Sequence, residues 1–388
     1  MSRISKKKRG KVFVGMSGGV DSSVAALLLK KQGYEVTGVF IKSYNIDGCA
    51  ERDAEDARRV AEHIGIPFYV FDFEKEYKKK VVDYMIEGYK AGITPNPDVM
   101  CNREIKFGLF LKRAISMGAD YVATGHYVKL LASPRTLAKS VSGATPKSYS
   151  SRERAATHPH FLGIAKDTNK DQSYFLWTLT QKELQHCMFP LGNITKPEVR
   201  AIAKKAGLGT ADKKDSQGVC FLGMFDVKDF LKKHIRVKKG NVVNGAGEII
   251  GEHDGAELYT IGQRHGFRLN KKANIKGAEE TKAHYVVAKK IKTNTVVVAE
   301  GSENPALFRK EVRLVGVNLV LPITEDTKVM ARVRYRQPLS EAMLTVHGRK
   351  TRPTYRLVFK KPQKFVAEGQ SAVFYKKGGL LAGGGIIV

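Results

Sequence analysis

Short apolar runs alternate with amphipathic segments over the first third of the chain, and this pattern predicts the architecture. Strands that alternate with helices form a parallel sheet covered on both faces, so we expect an α/β fold with a doubly wound sheet. In such sheets the ligand binds beyond the carboxyl ends of the strands, where the strand order reverses. The predicted strands cover residues 12–14, 35–41, 67–73 and 119–126, and the predicted helices cover 53–63, 74–89 and 103–117.

The remainder of the chain changes character twice. Residues 132–160 are rich in Ser, Ala, Thr, Arg and Lys with little apolar periodicity, which predicts a weakly ordered basic insertion. From about Val237, short apolar runs separated by Asn-Gly, Ala-Gly and Asp-Gly turns predict strands. We expect an α/β domain at 10–225 that contains this insertion, a small β-rich central domain at 226–305 and a β-barrel-like domain at 306–388.

Arginines alternate with other residues in one predicted strand near the C-terminus, Val329 to Arg336. Strand alternation would put Arg332, Arg334 and Arg336 on one face. Arginines on one face of a β domain suit contacts to phosphates. A solvated strand face explains the same pattern.

The stretch from Lys11 to Gln32 combines an apolar strand, a glycine turn and a helix. The turn residues Ser17-Gly18-Gly19 let the backbone approach a bound group, and the N–H groups that open the helix favour a phosphate. The spacing is not that of the Walker loop, because Asp21 stands where that loop has a Lys-Ser/Thr pair. The sequence predicts a nucleotide-binding loop, and the alternative is a glycine turn with Asp21 as an ordinary helix N-cap.

The composition adds a strong positive charge. Lys and Arg number 67 against 38 acidic residues, a formal net charge of +29 in 388 residues. Such a field attracts polyanions, so RNA or DNA is the expected partner, although basic residues also serve as a solvated surface. With 42% hydrophobic residues, no long uncharged apolar run and no secretory signal in residues 1–11, we expect a soluble, cytoplasmic protein without membrane association.

Two of the four cysteines lie in predicted loops where a thiol would be suited to react. Cys101 lies between a proline-rich turn and a predicted helix, whose N-terminus would lower the pKa of the thiol. Cys220 lies in a loop flanked by glycines. The alternative for both is a buried small hydrophobic side chain, and we assign Cys49 and Cys187 to that class. The cysteine spacing predicts neither a disulfide scaffold nor a zinc site, which fits a reducing compartment.

A series of short motifs runs along nearly the whole chain. In order they are GMSGGVDSS, TPNPDVMCNREIKF, ATGHYV, KDQSYFLW, KDSQGVCFLG, GEHDG, YTIGQRHG, RYRQ, GQSAVFY and GGGII. These motifs and their order resemble the tRNA-specific 2-thiouridylases, the family that places sulfur at position 2 of the wobble uridine. The resemblance implies that the α/β domain is an ATP-pyrophosphatase (PP-loop) domain. It also implies that ATP adenylates the uracil O2 with release of pyrophosphate, and that a cysteine persulfide then replaces AMP by sulfur.

The resemblance also assigns roles to individual residues. Cys220 would carry a persulfide received from a donor protein such as a cysteine desulfurase or a relay protein, and Cys101 would attack it to leave a transient Cys101–Cys220 disulfide. Asp98 would act as general acid and base, with a turn-capping role as the alternative. Asp21 would hold Mg²⁺ beside the pyrophosphate. The implied ATP-binding residues are Gly15, Met16, Ser17, Gly18, Gly19, Val20, Asp21, Ser22, Ile41 and Gly125.

A further set of residues is implied in binding the anticodon loop of tRNA. The target base must leave the anticodon stack, so we expect an enclosing pocket. Separately, we expect the enzyme to be a monomer. Tyr44 replaces the tryptophan typical of the family after the second strand, and the insertion is longer than in the family. The implied residues are Asn96, Pro97 and Asp98 around the base, and His126, Lys170, Asp171, Gln172, Arg334, Tyr335 and Gln370 elsewhere on the tRNA.

Two other classes of protein remain open from the residues alone. An amidating synthetase that acts on a small metabolite would share the nucleotide loop but would need neither Cys101 nor Cys220. An RNA-binding protein with a vestigial loop would share the charge but would not exchange pyrophosphate into ATP in the presence of tRNA.

Overall fold

The structure is a computed structural model that describes residues 9–44, 48, 50–132, 159–214, 226–270, 283–348 and 353–388. The predicted persulfide carrier Cys220, Cys49 and most of the predicted insertion lie outside the described residues. No helix within these ranges is both long enough and apolar enough to cross a membrane.

A five-stranded parallel sheet lies in the N-terminal part and confirms the predicted α/β architecture. The first seven strands are β1 (Lys11–Gly15), β2 (Glu35–Lys42), β3 (Phe68–Asp72), β4 (Tyr121–Ala123), β5 (Lys129–Ala132), β6 (His160–Gly163) and β7 (Cys187–Met188). The sheet has the order β3-β2-β1-β4-β7, while β5 and β6 form a separate antiparallel pair. Because the order reverses between β1 and β4, the loops after these two strands meet at the carboxyl edge of the sheet.

The central strand of this sheet is buried on both faces. Val12 and Val14 of β1 have no exposed surface, and Val24 packs in the same apolar core from the helix that follows. Strand β1 pairs with β2 on one side and β4 on the other, with Val14 opposite Gly38 and Ala123. The loop after β1 therefore starts from a fixed backbone position.

Within the described residues, two helices contain π-helical segments, in which the coil is wider than in an α-helix. These segments are Lys78–Val82 and Cys101–Phe110. The second helix starts at Pro97 rather than at the predicted Arg103, since proline suits the first turn of a helix. π-Helical turns are rare and occur often at functional sites. The α-helices are α1 (Val20–Lys31), α2 (Ala50–Ile64), α3 (Glu74–Tyr77), α4 (Asp83–Lys90), α5 (Pro97–Met100), α6 (Leu111–Ser116), α7 (Gln181–Leu184), α8 (Lys196–Lys205) and α9 (Val227–His234).

The C-terminal part is made of strands, as the sequence predicts. A five-stranded sheet of order β10-β9-β8-β12-β11 comes first, and a closed barrel of order β13-β16-β15-β14-β17-β18 follows. These strands are β8 (Gly240–Val243), β9 (Ile249–His253), β10 (Phe267–Leu269), β11 (His284–Lys290), β12 (Thr295–Glu300), β13 (Phe308–Leu319), β14 (Thr327–Arg332), β15 (Ser340–His347), β16 (Thr354–Lys364), β17 (Ser371–Tyr375) and β18 (Leu381–Ile387).

The chain divides into two compact units. Unit 1 comprises residues 1–81, 98–224 and 377–383, and unit 2 comprises 82–97, 225–376 and 384–388. The segment 82–97 belongs to unit 2 although the sequence assigns it to the N-terminal domain. Its backbone explains this, because the Thr94 N–H donates a hydrogen bond to Glu368 O at 2.8 Å. The predicted boundaries of three domains stay a prediction.

The predicted strand from Val329 to Arg336 is wrong in its second half. Strand β14 ends at Arg332, and residues 333–336 form a turn in which Arg336 has a positive φ of 62°. The Arg332 guanidinium is buried, lies over the ring of Tyr375 and donates to its hydroxyl at 2.8 Å. The three arginines therefore do not share one strand face.

Lys289 on β11, within unit 2, has a side chain whose amine is largely shielded from solvent. Its Nζ donates a hydrogen bond to Tyr259 O at 2.5 Å, beside a cavity of about 160 Å³. Burial lowers the pKa of the Lys289 amine to about 8, although Glu368 and Glu257 act in the opposite direction.

Replacing Lys289 by methionine is expected to stabilise the protein at pH 7 by about 2 kcal/mol, after the lost hydrogen bond is counted. Between a pH of about 8 and the ordinary lysine pKa of 10.5, the unfolded chain holds a proton at this residue that the folded chain lacks. The wild type should therefore gain stability as the pH rises through this window, and the variant should not. Urea unfolding at pH 7 and 9.5 measures both effects, with the exposed Lys290→Met as control; equal stability at pH 7 would contradict the expectation.

Candidate active site

The loop between β1 and α1 is built to expose backbone N–H groups. Gly18 has a positive φ of 71°, and a Cβ there would lie 2.4 Å from Asp53 O, so only glycine fits. The helix N-cap is Gly19, which makes no side-chain hydrogen bond. The alternative that Asp21 is the N-cap is thus wrong. The Ser17 N–H donates to Ser22 Oγ at 3.1 Å, and the Ser22 hydroxyl donates to Gly19 O at 3.1 Å.

The carboxylate of Asp21 is held by two side chains that the sequence analysis missed. Lys196 Nζ lies 2.7 Å from Asp21 Oδ1 and 2.8 Å from Oδ2, and the Tyr127 hydroxyl donates to Oδ1 at 2.7 Å. The Lys196 side chain is 10% exposed and that of Asp21 is 33% exposed. A largely buried ammonium group therefore lies beside the glycine loop.

Lys196 is held in place by the start of helix α8. Thr195 and Glu198 form a capping box, in which the Thr195 N–H donates to Glu198 Oε2 at 2.6 Å. The Lys196 N–H donates to Asp167 Oδ2 at 2.9 Å. The backbone that carries the ammonium group is thus fixed at Thr195 and at Lys196 itself.

The residues around Asp21 do not form a magnesium site by themselves. Within the described ranges there is no group of three metal-binding side chains. Mg²⁺ is held in proteins by one or two carboxylates together with substrate phosphates. Asp21 supplies one carboxylate, and both of its oxygens are already bound to Lys196. The predicted Mg²⁺ at Asp21 stays a prediction, and we derive no step from it.

The second loop of the site follows β4 and packs on the first. A Cβ on Gly125 would lie 2.7 Å from Ser22 N, so the two loops touch through backbone. Met16, Val20 and Ile41 are buried, so these three residues can offer a ligand only their backbone groups. The predicted nucleotide residues Gly15–Ser22 and Gly125 thus lie together.

His126 is a buried, neutral histidine. Its Nδ1 is hydrogen-bonded to Thr124 Oγ1 at 2.7 Å, and its ring packs against Phe107 and Phe189. Burial, together with the charge of Lys106, holds the pKa of His126 well below its ordinary value. The predicted contact of His126 with tRNA stays a prediction and requires its exposure.

The segment Lys170–Gln172 supports the nucleotide loop from behind. Gln172 Oε1 accepts from the Tyr127 N–H at 3.0 Å, and the Gln172 N–H donates to Tyr127 O at 2.8 Å. The buried Asp171 accepts from the Ser173 hydroxyl at 2.8 Å and from the Ala165 N–H at 3.1 Å. These contacts fix Tyr127, and hence Asp21, whether or not the segment also binds tRNA.

Cys101 opens the longer π-helical segment and is fully buried, with 0% of its surface exposed. The next residue, Asn102, donates from Nδ2 to Asp98 O at 3.0 Å, which fixes the orientation of its amide. Its Oδ1 is buried without a hydrogen-bond partner in the part of the chain that the structure describes. An orphaned acceptor costs about 1–3 kcal/mol, and this one belongs to the residue that directly follows Cys101.

The remaining predicted tRNA residues belong to unit 2. Asn96 is buried, and Arg334 donates to Phe365 O at 2.8 Å and to Ile261 O. The Arg334 guanidinium also lies 5.7 Å from the centre of the Phe365 ring. Gln370 donates from Nε2 to Thr94 O and Pro95 O, each at 3.0 Å. The roles predicted for these residues, and for Pro97 and Tyr335, stay predictions.

Three family models match consecutive parts of the chain. They are the tRNA methyl transferase HUP domain over residues 10–224, the tRNA methyl transferase PRC-barrel domain over 228–300 and the aminomethyltransferase beta-barrel domain over 309–387. They bear out the predicted sequence of an α/β domain, a β-rich domain and a barrel.

Curated proteins named tRNA-specific 2-thiouridylase MnmA are similar to the chain over nearly its whole length. The protein of Halalkalibacterium halodurans is 42% identical over 98% of this chain and 95% of its own length. That of Enterococcus faecalis is 42% identical, with coverages of 99% and 96%, and that of Alkaliphilus oremlandii is 44% identical, with coverages of 95% and 94%. The chain therefore belongs to the tRNA-specific 2-thiouridylase family, whose members are tRNA-uridine 2-sulfurtransferases.

Proposed function

We propose that this enzyme converts the wobble uridine of tRNA to 2-thiouridine by ATP-dependent adenylation followed by transfer of persulfide sulfur. The observation that carries the proposal is the loop site, where the uncapped N-terminus of α1 lies beside the ammonium group of Lys196. N–H groups at a helix N-terminus and a positive charge bind phosphates. An ATP-using step is the chemistry that such a site favours.

In the first step the uracil O2 attacks the α-phosphorus of ATP and pyrophosphate leaves. Negative charge accumulates on the departing phosphates, and donors fixed in advance stabilise it without reorganisation. The donors here are the backbone of Gly18–Ser22, the hydroxyls of Ser17 and Ser22, and Lys196. We assign to Lys196 a share of the positive charge that stabilises the leaving pyrophosphate.

In the second step the terminal sulfur of a Cys220 persulfide attacks C2 of the uracil, and AMP leaves with the former O2. The Cys101 thiolate then attacks Sγ of Cys220. The sulfur–sulfur bond breaks, its electrons form the thiocarbonyl, and Cys101 and Cys220 remain as a disulfide. A cellular thiol must reduce this disulfide before the next turnover. Asp98 is assigned the proton transfers near the base.

This sequence of steps requires Cys101 to become accessible, because it has no exposed surface in the structure. The neighbouring Asn102 agrees with such an opening. Its buried Oδ1 has no hydrogen-bond partner among the described residues, and an opening that admits a hydrogen-bond donor would satisfy it. The net charge of +29 favours tRNA binding through phosphates. The sulfur donor, the monomeric state and the cytoplasmic location stay predictions.

The decisive measurement is mass spectrometry of nucleosides from unmodified tRNA after incubation with the enzyme, ATP, a reducing thiol and a cysteine desulfurase that has free cysteine as its source of persulfide sulfur. We expect one oxygen to be replaced by sulfur in the wobble uridine, with AMP and pyrophosphate released. The control omits ATP, and a second control uses tRNA whose wobble base is cytidine.

Each alternative function gives a different result in this assay. An amidating synthetase would form AMP with a small metabolite and leave the nucleoside mass unchanged. A passive RNA-binding protein would retain tRNA on a filter but form no AMP. Either result would overturn the proposed function.

A further inference from the structure

A short segment of unit 2, Glu368–Gly369–Gln370, holds the segment that contains the predicted base-contacting residues. We call these three residues the clasp. The Thr94 N–H donates to Glu368 O at 2.8 Å, and Gln370 Nε2 donates to the carbonyl oxygens of Thr94 and Pro95, each at 3.0 Å. Three hydrogen bonds thus bind the backbone of two consecutive residues.

The fit between the two segments excludes a side chain at the centre of the clasp. Gly369 has a φ of +86°, and a Cβ there would lie 2.8 Å from Thr94 O and 2.9 Å from Thr94 C. The clasp is itself held by strand β18, since the Gly369 N–H donates to Ile387 O at 2.9 Å and the Ile387 N–H donates to Gln370 O at 2.8 Å.

The other side of the held segment is also packed closely. A Cβ on Gly88 of helix α4 would lie 2.8 Å from Pro95 Cγ. The Thr94 hydroxyl donates to Thr260 Oγ1 at 3.2 Å. Thr94 and Pro95 are therefore enclosed from both sides, and Asn96 and Pro97 continue directly from this fixed point.

We infer that Gln370 is a positioning residue that fixes Thr94 and Pro95, and through them Asn96 and Pro97, whether or not its Oε1 also contacts tRNA. This inference rests on the proposed function, which puts the target base at residues 96–98. The chemistry of the side chain supports it. A carboxamide has donors only on its nitrogen, and Gln370 gives that nitrogen to two backbone carbonyls.

The two roles differ in what they do to catalysis. A residue that binds tRNA equally in the ground and transition states affects binding and leaves kcat unchanged. A residue that aligns the base-contacting segment affects kcat, because small displacements of reacting groups are costly, and it leaves the bulk of the phosphate contacts intact.

The test uses Gln370→Met, which keeps the length of the side chain and removes its donors. The matched control is Gln363→Met, since Gln363 is also buried in the barrel and donates from Nε2 to Lys361 O at 2.7 Å, away from Thr94. We expect Gln370→Met to lower kcat for 2-thiouridine formation about ten-fold and to change the Kd for tRNA less than about two-fold. The control should change neither.

Hydrogen exchange of the free protein provides a readout that needs neither ATP nor tRNA. In Gln370→Met, exchange at the Thr94 amide should accelerate about ten-fold, and in Gln363→Met it should not. Unchanged exchange at Thr94 would overturn the clasp even if the enzyme makes 2-thiouridine. A weaker Kd for tRNA with unchanged kcat would instead assign Gln370 to tRNA binding. Failure of the wild type to make 2-thiouridine would leave the exchange result intact and count only against the proposed function.

Discussion

Replacing Lys196 by methionine is expected to slow ATP-dependent formation of AMP about 10³-fold, with binding of tRNA changed by less than about two-fold. Lys196 supplies the one ammonium group within hydrogen-bonding distance of Asp21 among the described residues. In the proposed mechanism this ammonium group lies beside the departing pyrophosphate, where it would stabilise the transition state more than the ground state, so its removal should lower kcat. Quenched-flow measurement of AMP under saturating tRNA reports the effect.

The control for this variant is Lys204→Met on the same helix. Lys204 pairs with Asp212 across 3.0 Å, but both side chains are well exposed, so the pair contributes little to stability. The variant Lys196→Met leaves Asp21 with one fewer partner and costs about 1–3 kcal/mol of folding free energy, since Asp21 is partly exposed. The double variant Asp21→Asn/Lys196→Met should recover part of this stability without recovering activity. Full AMP formation by Lys196→Met would contradict the role of the ammonium group.

Replacing Cys101 or Cys220 by serine is expected to reduce formation of 2-thiouridine more than about 10³-fold while a first round of adenylation continues. The hydroxyl of serine cannot carry or displace a persulfide sulfur at neutral pH. Because the two thiols act in the same series of bond-making and bond-breaking steps, the double variant should form 2-thiouridine no more slowly than the slower single variant. Single-turnover assays with labelled sulfur measure the transfer, and labelled ATP measures AMP separately.

Cys187 provides the matched control for the cysteine variants. It is buried like Cys101, its thiol donates to Glu183 O at 3.1 Å, and burial together with the charge of Glu183 raises the pKa of the thiol well above its ordinary value. Cys187→Ser should therefore retain sulfur transfer once its stability is verified. If Cys101→Ser and Cys220→Ser both kept full activity, the persulfide mechanism would be wrong and an amidating reaction would explain the loop better.

The sequence was sufficient to predict features that depend on neighbouring residues. The glycine loop follows from local order, since a buried strand, two glycines and a helix occur in succession in residues 11–31. The pairing of Lys196 with Asp21 was missed because the two residues are 175 positions apart and only the fold brings them together. No local signal marks Lys196, whose helix looks like any amphipathic surface helix.

The strand that was wrongly extended to Arg336 and the backbone contacts of Gln370 that were missed have a common physical cause. Alternating residues look the same in a strand and in a turn that follows it, and the contact between Arg332 and Tyr375 spans 43 positions. Likewise, Gln370 bonds to Thr94 and Pro95 from more than 270 positions away. A polar side chain that binds distant backbone has the same appearance in sequence as one that binds a ligand.

The complete burial of Cys101 has a consequence for the timing of sulfur release. A thiol without exposed surface is out of reach of peroxide and of free low-molecular-weight thiols, because both must touch the sulfur atom to react. In the proposed mechanism Cys101 is the thiol that frees the transferred sulfur, so the resting enzyme would keep this thiol protected from oxidation. The last sulfur–sulfur bond would then break only after the segment around Cys101 has opened.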